Sequence, residues 1–188
     1  RATGNLHVQA MPVDLSSQSS IRRFVRQFLA TYPELHVLVN NAGVYLPERR
    51  LSRDGIETTW ATNVLGYHLL SRLLLERLKA SAPARIVNVA STFADGLDLT
   101  DPEFNRRPYD GVAAYRQSKQ ANRMLTWALA ERLVGTNVTA NAVHPGGVAT
   151  GIYRELRGIK GALVRAWVRL IKTSPSEGAD TPTWLATS

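Results

Sequence analysis

Apolar and polar positions alternate along this chain in two rhythms, and the switch between them predicts its elements. HVQAMPV, residues 7–13, reads as a strand, and DLSSQSS after it supplies caps for a helix over 17–31. In that helix Ile21, Phe24, Val25, Phe28 and Leu29 recur at the three-and-four spacing of one buried face. LHVLV, residues 35–39, and ARIVNVA, residues 84–90, are short continuous apolar runs of the kind buried on both faces of a parallel sheet. Between them 56–80 has a long helical pattern, and 112–134 is a second one, with Ala121, Leu125, Ala128 and Leu129 on a common face. TNVTANAV, residues 136–143, makes a further strand and stops at HPGG. Strands alternating with helices predict βαβ units: an α/β fold with a parallel sheet and helices on both faces.

Beyond His144 the pattern changes to a basic amphipathic helix, a Ser-Pro turn and a last helix beginning near Ser176. The stretch 151–175 is the candidate for a cover over a site. A helix at 161–172 with Trp167 among leucines and arginines also suits an anionic membrane surface, but a cleft cover is the preferred reading.

Length and composition narrow the class. With 188 residues and 44% hydrophobic content the chain supports one domain spanning 1–188. It contains no apolar run of membrane-spanning length and no secretory leader pattern, which predicts a soluble, cytoplasmic protein. There is no cysteine, and the four histidines lack ligand spacing, so neither disulfides nor a metal site is expected. A formal charge of +8 suits phosphate-bearing partners, but the arginines are not interleaved with aromatics as a nucleic-acid platform would require.

Ligands of open parallel sheets bind beyond the carboxyl ends of the strands. The residues there are Asp14 and Leu15, then Asn40, Asn41, Ala42 and Gly43, then Ser91, then Pro145, Gly146 and Gly147. Each alone has a plain structural reading: a cap at Asp14, a turn at NNAG with Gly43 at positive φ, a loop hydroxyl at Ser91, a tight PGG turn. Tyr115 and Lys119, in AAYRQSKQAN, lie four apart on the second long helix and so share a face. Bringing a tyrosine from its ordinary pKa of about 10 to near neutrality takes about 4 kcal/mol of phenolate stabilisation, and a nearby ammonium is suited to supply it.

Taken together, NNAG after a central strand, Asn63 in the following helix, Ser91 at the next strand end, Y-R-Q-S-K and H-P-G-G-V-A-T resemble the short-chain dehydrogenase/reductase family. The loop DLTDPEFNRRPYDG and YRQSKQAN most resemble its retinol-dehydrogenase-like branch. The resemblance implies a Rossmann-type doubly wound sheet and an NAD(P)-dependent oxidoreductase acting on a bulky or lipophilic alcohol or carbonyl. It implies Tyr115 as acid/base, Lys119 as its tuner and ribose holder, Ser91 as donor to the substrate oxygen, and Asn63 steadying a water that links Lys119 to solvent. Asp14 would lie by the adenine, Asn40 to Gly43 by the adenosine ribose, and Val148 and Thr150 by the nicotinamide, with Leu15, Pro145 and Gly146 also binding cofactor. The charge favours NADP over NAD, and family members self-associate through the two long helices. Other readings are an epimerase or dehydratase of the extended branch, or a non-catalytic binding protein retaining the fold.

The family's phosphate turn, T-G-x-x-x-G-x-G, is not in this sequence. The expectation is therefore a fragment truncated at both ends, lacking the first βαβ unit and the last strand, with a gap between strands 7–13 and 35–39 and weak cofactor binding by the isolated chain.

Overall fold

The computed structural model describes residue 5, residues 7–146 and residues 174–188. Its first element is α1 (Gln18–Thr31), opened by Ser17, whose Oγ accepts the Ser20 N–H, and by Asp54, whose carboxylate accepts the Gln18 N–H at 2.7 Å. Then come β1 (Val37–Asn40), α2 (Thr58–Trp60), a π-helical turn (Ala61–Leu65), α3 (Gly66–Ala80), β2 (Ala84–Val89), α4 (Gly111–Arg132), β3 (Val138–Val143) and α5 (Pro175–Thr187). Ser174 and Glu177 close a capping box around the start of α5.

The three strands form a parallel sheet in the order β1-β2-β3, with Asn40 beside Asn88 and Val89 beside Val143. Because strand side chains alternate, β2 sends Ala84 and Ile86 to one face and Val87 and Val89 to the other. The first face, with Val138 and Ala140, packs against Ile21 and Val25 of α1, Leu70, Leu74 and Leu78 of α3, and partly buried Leu129 of α4. The second joins Val143 and meets Leu185 of α5. Leu74, Leu78 and Ile86 are fully buried, each contributing about 1.5–3 kcal/mol by removal from water. This is a Rossmann-type α/β arrangement, with helices on both sheet faces as the pattern predicts.

Four local expectations are corrected. Residues 7–13 form no strand: among the described residues nothing hydrogen-bonds to them as a ladder, and Val8 is 72% exposed. β1 is not buried on both faces, because it is the sheet's edge and Val39 is left 44% exposed. The helix expected over 56–80 starts at Thr58 and is interrupted by the π-helical turn. On α4 the buried positions are Gly111, Ala114, Gln117, Ser118, Lys119, Ala121, Asn122 and Thr126, while Leu125 and Ala128 are exposed. That helix turns a largely polar face inward, which hydropathy alone assigns to solvent.

The turn leading into α1 packs closely on α3 at Gly66, where an added Cβ would lie 2.6 Å from the Leu15 carbonyl oxygen. Since that neighbour is backbone, Gly66→Ala is expected to destabilise the chain by about 1–3 kcal/mol, measured as a lower urea midpoint at unchanged slope.

Candidate active site

Parallel strands bring their carboxyl ends to one edge of the sheet, and there the apolar core gives way to buried polar side chains. The Asn40 Nδ2 donates to Ser71 Oγ at 2.9 Å and to Asn88 Oδ1 at 2.7 Å, and the Asn88 Nδ2 donates to Thr126 Oγ1 at 2.9 Å. One ladder thus fixes β1, β2, α3 and α4 where the loops leave the sheet. Each of these groups is satisfied by another, so their burial costs little.

The loop after β1 is held by Asn63, which is fully buried in the π-helical turn, a form common where helices bend for a function. Its Oδ1 accepts the Val44 N–H at 2.9 Å, and its Nδ2 donates to the Val44 carbonyl at 3.0 Å and to Ser118 Oγ at 3.0 Å. Ser118 Oγ in turn donates to the Tyr115 carbonyl at 2.7 Å. Asn63 therefore couples the loop to the helix bearing Tyr115 and Lys119.

On α4 those two side chains share a face. Lys119 is 2% exposed, and its Nζ donates to the Val89 carbonyl at 2.8 Å. The same Nζ lies 5.7 Å from the ring centres of both Tyr67 and Tyr115. Burial pulls its pKa down to about 8. Tyr115 is half-buried and meets Tyr45 edge-on, with ring centres 6.3 Å apart. Burial, reinforced by Tyr115, raises the phenol of Tyr67 well above its ordinary value. Gly43 completes the group: a Cβ there would lie 3.4 Å from both Asn63 Oδ1 and Lys119 Nζ, which places this part of the loop against both side chains. It does so without a positive φ, contrary to the turn reading, whereas Gly146 does adopt one, at 77°.

Ser91, just beyond β2, is 9% exposed; its Oγ accepts the Phe93 N–H at 3.1 Å and its carbonyl accepts from Arg123 at 2.8 Å. Asn41 and Ala42 are exposed beside Gly43, and Pro145 is half-buried where β3 ends. Asp14 is exposed and organises the turn into α1, its carboxylate accepting from the Ser16 N–H at 2.9 Å and the Ser16 hydroxyl at 2.7 Å. Leu15 packs partly buried against the core. The structure thus joins Gly43, Asn63, Tyr115 and Lys119 through contacts, holds Asn40 in the neighbouring ladder with Asn88, and leaves Asp14 in the turn ahead of α1. Gly147, Val148, Thr150 and the expected cover as far as residue 173 lie outside the described residues.

Sequence reasoning missed Tyr67, Ser118, Val44 and Tyr45. Tyr67 stands four residues after Asn63, a spacing that places it on the same helix face, and that was the available signal. The Tyr45 ring and the Val44 backbone enter only through the fold.

Comparison with known proteins adds an independent line. Residues 1–159 match the short chain dehydrogenase family model. Human retinol dehydrogenase 12 is 44% identical over 181 residues, 95% of this chain and 56% of that protein. Short-chain dehydrogenase TIC 32 A, chloroplastic, of Brassica napus is 38% identical over 97% of this chain and 60% of that protein. Among solved structures, the Pseudomonas aeruginosa RhlG/NADP active-site complex superimposes with a TM-score of 0.68 at 25% identity, over 95% of this chain and 70% of that one. The chain spans about half the length of the curated relatives it matches.

The low pKa of Lys119 has a measurable sign. The folded chain releases this proton near pH 8 and the unfolded chain near 10.5, so between them the unfolded state binds more protons and stability rises with pH. Lys119→Met removes that contribution. The thermal midpoint of the wild type relative to the Met variant is expected to climb from about pH 8 to 10.5, and a flat difference refutes the shift.

Proposed function

The chain belongs to the short-chain dehydrogenase family, and on that premise we propose that the intact protein is a nicotinamide-dependent oxidoreductase interconverting an alcohol and a carbonyl compound. The observation that carries this reading is the Lys119 ammonium, buried under the Tyr115 ring and held by the Val89 carbonyl. A merely structural lysine would not be buried with one oxygen acceptor and two aromatic faces as its surroundings, because burying a cation is costly.

The chain's own groups support each role. Tyr115 gives its phenolic proton to the carbonyl oxygen during reduction, and as phenolate takes the proton from the alcohol oxygen during oxidation. Lys119 stabilises the phenolate through its charge. One of the three N–H bonds of its ammonium goes to Val89, and the other two are available for the hydroxyls of a cofactor ribose. Ser91 Oγ already accepts the Phe93 N–H, so its own hydrogen is suited to the substrate oxygen, where charge builds up. Asn63 keeps the loop after β1 in register with α4.

The residues present fit a nicotinamide cofactor. Gly43 lies within van der Waals reach of Asn63 and Lys119, and its lack of a side chain suits a close backbone approach by the cofactor. When bound, such a cofactor supplies or accepts the hydride. Gly43 and its neighbours Asn40 to Ala42, with Pro145, Gly146, Val148 and Thr150, are the proposed cofactor side, together with Asp14 and Leu15 at the far end. The +8 charge favours NADP. Within a single domain, the loop 92–112 and the cover 151–175 would shape the substrate pocket. Similarity to retinol dehydrogenase 12 supports a lipophilic substrate.

Tyr115→Phe in the intact protein tests the assignment. It removes the transferable proton and little volume, so kcat is expected to fall by about a thousandfold, within the range ascribed to general acid–base groups, while cofactor affinity measured by calorimetry stays close to wild type. Unchanged turnover assigns the proton transfer elsewhere, and unchanged cellular function without any turnover assigns the protein to the scaffold class.

A further inference from the structure

The loop between β2 and α4 is folded more tightly than a surface connection requires. Phe104 is buried and sits at φ 55°, a backbone region that a bulky side chain adopts only when its surroundings impose it. Arg107 stacks 4.0 Å over its ring, and Tyr109 meets it edge-on at 5.2 Å. Arg107 also donates to Gln117 Oε1 at 2.9 Å, and the Gln117 Nε2 donates to the Pro102 carbonyl at 2.6 Å. Gln117 stands on α4 between Tyr115 and Lys119 and is 1% exposed. The loop therefore grips the helix within the Tyr115–Lys119 span.

It grips it again before the helix begins. The Tyr109 hydroxyl lies 3.2 Å from the Leu46 carbonyl, 3.2 Å from Glu57 Oε1 and 3.4 Å from Thr59 Oγ1. Leu46 and Glu57 offer only acceptors there, so the phenolic hydrogen is shared between them and Thr59 is the group able to donate back. Glu57 is 1% exposed, and its carboxylate accepts the Thr59 N–H at 2.8 Å and the Trp60 N–H at 2.7 Å, capping the turn that leads into Asn63. Leu46 follows Val44, whose backbone Asn63 holds. Gly111 sits directly on this contact: a Cβ there would be 2.2 Å from the Leu46 carbonyl oxygen. Burial pushes the Tyr109 phenol up to about 12, so it remains a neutral donor over the working pH range.

We propose that Tyr109 is a positioning residue: its hydroxyl ties the loop after β1 and the Glu57-capped start of α2 to α4, setting where Tyr115 and Lys119 stand relative to Asn63 and Gly43. It touches none of the reacting atoms and acts through these three segments. The proposal rests on the oxidoreductase reading for its kinetic consequence and on the geometry alone for its structural one.

Tyr109→Phe keeps the ring against Phe104 and deletes the tie. In the intact protein kcat is expected to fall about tenfold, the scale of a small misplacement of reacting groups, with KM for cofactor and substrate within about twofold of wild type. Glu57→Gln, which replaces the charged acceptor at the other end of the tie with a neutral amide oxygen, is expected to act in the same direction, and the double variant to be no slower than the slower single one. Amide exchange at Val44 is expected to quicken in Tyr109→Phe, a readout independent of turnover. If the wild type turns over no substrate with either nicotinamide cofactor, the oxidoreductase reading fails while the exchange experiment still decides the tie. Wild-type kcat in both variants, or unchanged Val44 exchange, overturns the proposal.

Discussion

A cation kept out of water is the constraint around which this end of the molecule is arranged. Lys119 has one carbonyl and two aromatic faces for company, and its lowered pKa measures how poorly they replace hydration. The arrangement persists because α4 is locked from several sides: through Ser118 to Asn63, through Thr126 to Asn88, and through Gln117 to the loop before it. An ammonium in such a place is poised to bind a negative charge, since any anion arriving beside it recovers part of what desolvation took away. In the proposed reaction that anion is the phenolate of Tyr115.

Much of this was legible along the chain. The helices at 17–31 and 112–134 and the strands ending near Asn40, Val89 and Val143 follow from periodicity, which reports burial face by face. Tyr115 and Lys119 were legible as a pair because helical spacing is a local rule, whereas Asn63 was marked only by the family resemblance. Residues 7–13 misled, since β-branched and apolar residues mark a segment able to pair and cannot say whether a partner lies beside it. The inward face of α4 misled for the opposite reason. Gln117, Ser118, Asn122 and Thr126 look like solvent positions until their partners on other elements are seen.

The loop from Asp98 to Asp110 shows how a connection can become part of a site without facing it. Asp98 and Asp101 cap its own turns, Arg107 bonds to the Asp101 carbonyl, and Phe104 and Tyr109 pack ring to edge, so it is a closely bonded block. Rigidity of that kind is what transmits position. A flexible loop of the same length would leave α4 held by its packing on the sheet and by the bonds at Ser118 and Thr126, without the tie through Gln117.

The π-helical turn at Ala61–Leu65 can be seen as a phase shifter. One residue more than an α-helix would use is spent in that turn, so the residues ahead of it and those behind it follow two stripes offset by roughly 100° around the axis. The buried stripe of α3 meets the sheet, while Asn63, within the inserted turn, points to the loop after β1. Removing a single residue here would regularise the hydrogen bonding and tend to straighten the helix, yet would bring the two stripes back into one phase. The helix would then have to give up either its seat on the core or the loop that Asn63 holds, so it is geometry rather than helix propensity that opposes regularity at this position.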